Sequence, residues 1–130
     1  MRIVLDSNVL LAAFGTRGLC ETVLQVSLAA HDLVISDYIL DEVARNLTRK
    51  FGIAAENVEE IVRYLREESE LVKPEKVSAP NVESDDLPVL GTALSGCAHC
   101  LITGDQSLLK LKRFKRTSIL SPRKFYESLR

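Results

Sequence analysis

No apolar run in this 130-residue chain approaches the ~20 residues that a membrane span requires, so no membrane partner is expected. The opening stretch Met1 to Asp6 has a charge but neither a long apolar segment nor a small-residue cleavage site, which argues against an export signal. The chain has only three cysteines. Without an export signal they are expected to be reduced thiols, in a cytoplasmic protein. The loop from Gly15 to Gly18 lacks the Gly-x-Gly-x-x-Gly and Gly-Lys-Ser/Thr patterns, so nothing supports a dinucleotide or phosphate-loop fold of those kinds. There is no internal repeat and no low-complexity segment. The net charge of −1 by itself excludes no partner.

An apolar fraction of 46% and a charged fraction of 27% are those of an ordinary globular domain. A chain of this length forms one domain, residues 1–130, and buries about two-thirds of its unfolded surface. Runs such as Ile3-Val4-Leu5, Leu33-Val34-Ile35, Cys100 to Thr103 and Thr117 to Leu120 are continuously apolar or β-branched, which suits strands buried on both faces of a parallel sheet. A short strand is also expected over Leu71 to Lys73. Between these strands, 3.6-residue periodicity predicts helices over 19–30, 37–50, 54–70, 105–111 and 122–129. Val9 to Phe14 is apolar but has no assigned element. A further helix opens after the acidic cluster Glu83, Asp85 and Asp86, with a stripe of Val89, Leu90, Ala93, Leu94 and Cys97. This alternation predicts an α/β fold, a three-layer α/β/α sandwich around a central parallel sheet.

In such a sheet, right-handed crossovers bring the C-terminal strand ends to one edge, where chemistry is usually placed. Asp6 and Asp105 directly follow their strands, and Asp86 opens the helix leading into the second of them. Glu42 lies one and a half turns into the helix after the second strand, close enough to reach the same edge. Each has a bland alternative: Asp6 as a turn cap, Glu42 as an exposed helical glutamate. Together, four carboxylates in one cleft would raise one another's pKa values unless cations neutralised them. Oxygen-only donors suit Mg²⁺ or Mn²⁺ rather than zinc. Such a site can polarise a phosphodiester and lower the pKa of a bound water. Ser7, Asn8 and Thr103 are placed to orient carboxylates or water by hydrogen bonds.

The start Val-Leu-Asp6-Ser-Asn-Val-Leu resembles the opening of PIN domains. Ser36-Asp-Tyr-Ile-Leu-Asp-Glu42-Val is similar to their second acidic motif. Asp85-Asp86-Leu-Pro-Val-Leu-Gly-Thr-Ala-Leu and Leu101-Ile-Thr-Gly-Asp105-Gln-Ser-Leu-Leu resemble the third and fourth. Four short motifs in this order cover essentially the whole chain, down to the closing Ile119-Leu-Ser-Pro122. The resemblance implies an Mg²⁺- or Mn²⁺-dependent endoribonuclease with an RNA substrate. It is most similar to the small single-domain toxins of prokaryotic toxin–antitoxin pairs, which implies a cognate antitoxin and a homodimer. Carried over by motif, the catalytic and metal-holding acids are Asp6, Glu42, Asp86 and Asp105. Of the adjacent Asp85 and Asp86, Asp86 is assigned because it precedes the buried Leu90 and Ala93 at helical spacing. Leu87 and Pro88 depart from the family pattern at the helix start.

Two other readings stay open. Haloacid-dehalogenase-like phosphatases also carry an Asp after strand one, but they need a second Asp two positions later, where this chain has Asn8. A PIN-like module that binds without cleaving is the other, and the presence of all four acids argues against it. From Lys110 onward eight basic residues face a single acid, Glu127, while the rest of the chain is acidic by eight charges. Lys110, Lys112, Arg113, Lys115 and Arg116 are therefore candidate RNA contacts, the alternative being a solvated face. His31 is expected to end a helix rather than bind a ligand. Cys97 and Cys100, with His99 between, could form a redox pair or part of a zinc site. Cys20 is the only other cysteine, and packing of the thiols is the expectation.

Overall fold

In the computed structural model, residues 1–129 are described; Arg130, the last of the basic residues counted above, lies outside them. Among the described residues six strands build one sheet: β1 (Arg2–Leu5), β2 (Asp32–Ile35), β3 (Glu70–Leu71), β4 (Cys100–Ile102), β5 (Arg113–Phe114) and β6 (Thr117–Leu120). Their spatial order is β3-β2-β1-β4-β6-β5. All neighbours are parallel except β5 and β6. β3 falls earlier than the expected Leu71–Lys73, because Glu70 pairs with Val34 and Leu71 with Ile35.

The central sheet is parallel, as expected, and the antiparallel β5 is added at its edge. Only Lys115 and Arg116 separate it from β6, whereas a parallel crossover needs a dozen or more residues. A hairpin is the only connection that short. Lys115 takes the left-handed conformation, φ 55°, that turns the chain back. The strand lies inside a charged run with no alternation of apolar residues, so it leaves no periodic signal.

The helices among the described residues are α1 (Ser7–Gly15), α2 (Leu19–Ala30), α3 (Asp37–Phe51), α4 (Ala55–Glu68), α5 (Leu87–Ser95), α6 (Gln106–Leu109) and α7 (Pro122–Ser128). A 3₁₀ turn over Ser84–Asp86 leads into α5. α1 spans the apolar stretch Val9 to Phe14, which carries no helical periodicity of its own. Val9, Leu10, Leu11 and Ala13 are all buried, since the helix packs against both α2 and α3. A helix covered nearly all round has no polar face to mark its period. α1 and α2 bend through 108° at the Gly18 break, and no single helix is long and apolar enough to cross a membrane among the described residues.

α3 has the stronger local signals. The Ser36 hydroxyl accepts from the Ile39 N–H, and the helix ends at Gly52 in the left-handed conformation, φ 62°. Its face of Ile39, Leu40, Val43 and Leu47 is fully buried. The α4 stripe is only partly buried: Val58 and Leu65 are in the core, Ile61 and Val62 at its margin. On α5, Val89, Leu90 and Ala93 are buried, but Leu94 is half-exposed. Cys97 lies beyond the helix, exposed, with φ 51°. The expectation that both thiols of the Cys97–Cys100 pair are packed therefore fails for Cys97. Cys100 alone is buried, inside β4.

β1 to β2 to β3 runs one way across the sheet, and β3 to β4 to β6 runs back past β1. Right-handed crossovers then place helices on both faces, giving the three layers. The reversal lies between β1 and β4, the position at which open α/β sheets form a cleft beyond the strand ends. α5, which leads to that cleft, is clamped by the segment after β3. The Ser95 hydroxyl donates to the Lys73 carbonyl at 2.6 Å and the Glu75 N–H to the Gly91 carbonyl at 3.2 Å. A Cβ on Gly91 would overlap the Glu75 carbonyl oxygen. Gly91→Ala is expected to force backbone from backbone, costing about 2 kcal/mol of stability. A lowered urea midpoint with an unchanged slope would report it.

A candidate acidic site at the carboxyl edge of the sheet

Asp6 follows β1, and its N–H donates to the Ile102 carbonyl at 2.9 Å, so the sheet ladder itself continues into the site. The residue is 4% exposed and also caps α1, its carboxylate accepting from the Ser7 N–H at 2.8 Å. The Thr103 hydroxyl donates to its other oxygen at 2.7 Å. Both oxygens of a buried carboxylate are thus held before any ligand arrives. Burial pushes the Asp6 carboxyl above its ordinary value, against the pull of the Thr103 and Ser7 donors, and the nearby Asp105 adds to the rise.

Asp105 caps α6. One of its oxygens accepts from the Ser107 N–H at 2.8 Å, the Ser107 hydroxyl at 2.8 Å and the Leu108 N–H at 3.4 Å. Its own N–H donates to the Thr103 hydroxyl oxygen at 3.0 Å. Burial disfavours ionisation here too. The donors from Ser107 and Leu108 outweigh it and hold Asp105 below its ordinary value.

Asp86, rather than the exposed Asp85, turns into the cleft. The Ser107 hydroxyl reaches its carboxylate at 3.3 Å. Partial burial, then the charge of Asp105 and a hydrogen bond between the two carboxyls, lift Asp86 to about 7. The pair therefore retains a proton near neutrality, with Asp105 as the ionised partner. The Tyr38 hydroxyl donates to the Asp85 carbonyl at 2.7 Å, tying the 3₁₀ turn to α3.

Glu42 comes from that same helix, and the Ser7 hydroxyl donates to it at 3.2 Å. Burial raises its carboxyl as well, with Asp6 contributing. All four acids expected from the sequence are therefore linked at one edge, through Ser7, Thr103 and Ser107. No lysine or arginine forms an ion pair with any of them among the described residues. Nor is any group of three or more acidic, histidine or cysteine side chains among those residues close enough together, as it stands, to hold a metal ion. The carboxylates are spaced by hydroxyl groups, and only Asp86 and Asp105 meet directly.

Ser107 is the member that the sequence reading missed. Its spacing two residues after Asp105, at a helix start, is the pattern of a side-chain cap and was the available signal. Asn8, expected as a supporting residue, is exposed on α1 away from these hydrogen bonds. The basic candidates divide. Lys110 ends α6, Lys112 lies between α6 and β5, and Arg113 opens β5 with its guanidinium donating to the Ser118 hydroxyl at 3.1 Å. Lys115 and Arg116 lie in the turn at the opposite edge, about 13 Å away across a four-residue strand.

The fold is a doubly wound α/β/α domain with four carboxylates gathered near its switch point. The model of the PIN domain family matches residues 2–107, and the chain belongs to that family. No curated protein matches it. A chain of the crystal structure of VapBC2 from Rickettsia felis, bound to a DNA fragment from their promoter, is similar over 93% of this chain and 98% of that one. The TM-score is 0.63 at 15% identity, a likeness of fold.

Because folded Asp86 keeps its proton up to about 7 while an unfolded aspartate loses it near 3.8, this group's stabilising contribution is present at low pH. It is lost as pH rises through neutrality. In cation-free buffer, Asp86→Asn is expected to raise the melting temperature at pH ~8 by a few degrees, or about 1 kcal/mol after allowance for solvent screening. At pH ~4 it is expected to change little. Thermal melts at the two pH values check the difference.

Proposed function

We propose that the chain is a divalent-cation-dependent endoribonuclease that hydrolyses phosphodiester bonds in RNA. The observation that carries this reading is the meeting of Asp6, Glu42, Asp86 and Asp105 at the switch point of a PIN domain. The donors fit Mg²⁺ or Mn²⁺: they are all oxygens, and the proton retained by Asp86 marks an excess of negative charge that a divalent ion would relieve. Asp6, Asp86 and Asp105 would hold the ion directly or through water, with Glu42 completing the site from the Ser7 side. Bound there, the ion supplies polarisation of the phosphodiester and a water of lowered pKa.

The chain's own residues supply alignment. Thr103 and the Ser7 N–H fix the two oxygens of Asp6, so the carboxylate does not have to be ordered at the moment of binding. Ser107 spans Asp86 and Asp105 and sets their separation. Glu42, whose carboxyl burial raises above its ordinary value, would help hold the ion or accept a proton from water. RNA phosphates would meet Lys110 first and then Lys112 and Arg113 along the sheet edge. Lys115 and Arg116 leave this reading, because they stand at the other end of the strands.

As partners we propose a protein antitoxin and a second copy of the chain. The antitoxin proposal is supported by the fold's similarity to a chain of the VapBC2 structure. The phosphatase alternative lacks its second acid, since Asn8 stands there, exposed. A binding module would have no need of four aligned carboxylates.

Asp6→Asn is expected to retain the fold and lose Mn²⁺-dependent cleavage of a fluorophore-quencher RNA, as is Asp105→Asn. Undiminished cleavage by either variant overturns the assignment. Ser107→Ala is expected to keep the acids and the fold but to weaken Mn²⁺ activation by about 10–100-fold, the usual cost of losing a group that orients metal ligands. A titration of rate against Mn²⁺ concentration reads this directly.

A further inference from the structure

A second concavity lies at the opposite, amino-terminal edge of the sheet. It has a volume of about 500 Å³, within the range of small-molecule sites. Ala93, Leu94 and Ala98 are among its lining residues and give it an apolar floor. Around them stand His99, Lys115, Arg116 and the Cys97 thiol, and no acid lines it among the described residues. Arg2 also borders it, but its guanidinium is taken by Glu70, at 2.7 and 3.1 Å, and by the Gly96 carbonyl at 2.6 Å. Lys115 and Arg116 are different: both are exposed, and neither forms an ion pair among the described residues.

The rim is preformed. The Arg2 N–H donates to Nδ1 of His99 at 3.0 Å, which leaves Nε2 as the protonated nitrogen of the neutral ring, a donor free for a ligand. The His99 N–H donates to the Arg2 carbonyl at 2.8 Å, and the Ser118 N–H to the His99 carbonyl at 2.9 Å. The Thr117 hydroxyl donates to the Ala98 carbonyl at 2.8 Å, closing the floor against β6. The loop after α5 and the β5–β6 turn are therefore locked together, and their side chains need little ordering on binding.

We propose that this cavity binds a phosphate monoester carrying an aromatic or apolar body, a ligand of the size of a mononucleotide. Two unopposed cations in adjacent positions match a dianion better than a single carboxylate. The His99 Nε2–H adds a directional donor to the phosphate oxygens. The ring of the ligand would rest on Leu94, the half-exposed apolar side chain of the cavity, with Ala93 and Ala98 buried beneath it. The site is separate from the acidic one, at the other end of β1 and β4. It does not depend on the chain being a nuclease.

Cys97 is a built-in reporter, since it lines the cavity and is exposed, whereas Cys100 is buried. Full-length protein would be alkylated with neutral N-ethylmaleimide and modification of Cys97 followed by peptide mass spectrometry. AMP at millimolar concentration is expected to slow that modification, inorganic phosphate to slow it less, and adenosine least. The double variant K115E/R116E, verified as folded by its melting curve, is expected to need at least about tenfold more AMP for the same protection, the loss of one or two charge-assisted contacts. Asp6→Asn is expected to be protected as the natural chain is. An unchanged alkylation rate with AMP overturns the proposal, as does equal protection of K115E/R116E. Loss of protection in Asp6→Asn also overturns it, because the nucleotide would then be acting from the carboxylate edge.

Discussion

Like charges brought together in a partly dry cleft repel, and this constraint organises the carboxyl edge of the domain. Asp6 is held in a buried position by two donors, one from its own helix start and one from Thr103 at the end of the neighbouring strand. Neither donor is charged. The repulsion is therefore spaced out rather than cancelled, and at the closest contact, Asp86 against Asp105, a proton stays on the pair.

The sheet order makes such a cluster possible. β1 is central, with β2 to one side and β4 to the other, so Asp6 lies between the helix that carries Glu42 and the strand that leads to Asp105. Asp86 reaches the group because α5 is fixed along its length: by Gly91 and Ser95 against the segment after β3, and by the Thr92 hydroxyl on Ser36 at 2.8 Å. The helix is rigid before it is functional. The same topology sends the amino-terminal edge in the other direction, where the loop after α5 meets the β5–β6 hairpin over a cavity with the opposite sign of charge. The two ends of one sheet thus present complementary chemistry, acids at one and bases at the other.

Short apolar runs and strong caps made most of the elements legible. Ser36 and Gly52 mark α3, and Ser121-Pro122 marks α7, because capping is a local hydrogen-bond demand satisfied by residues a few positions apart. α1 escaped because burial on nearly every side removes the polar face that periodicity depends on. β5 escaped because a two-residue strand in a charged run is stabilised by its partner, not by its own composition. Cys97 was placed on the α5 stripe by spacing alone, but the helix stops at Ser95 and the chain turns through a left-handed residue.

The residue types alone determined which side chains could form an acidic site, since Asp6, Glu42, Asp86 and Asp105 each sit where an element begins or in its second turn, and strand and helix boundaries are set by nearby residues. Tertiary structure decided what those acids do to one another: which oxygen accepts which hydroxyl, that Ser107 belongs and Asn8 does not, and that Asp86 keeps a proton. It also decided that Lys115 and Arg116 belong to the far edge. Distances between residues a hundred positions apart depend on strand order and register, and electrostatic coupling depends on those distances and on burial. Neither is encoded in any single stretch of the chain.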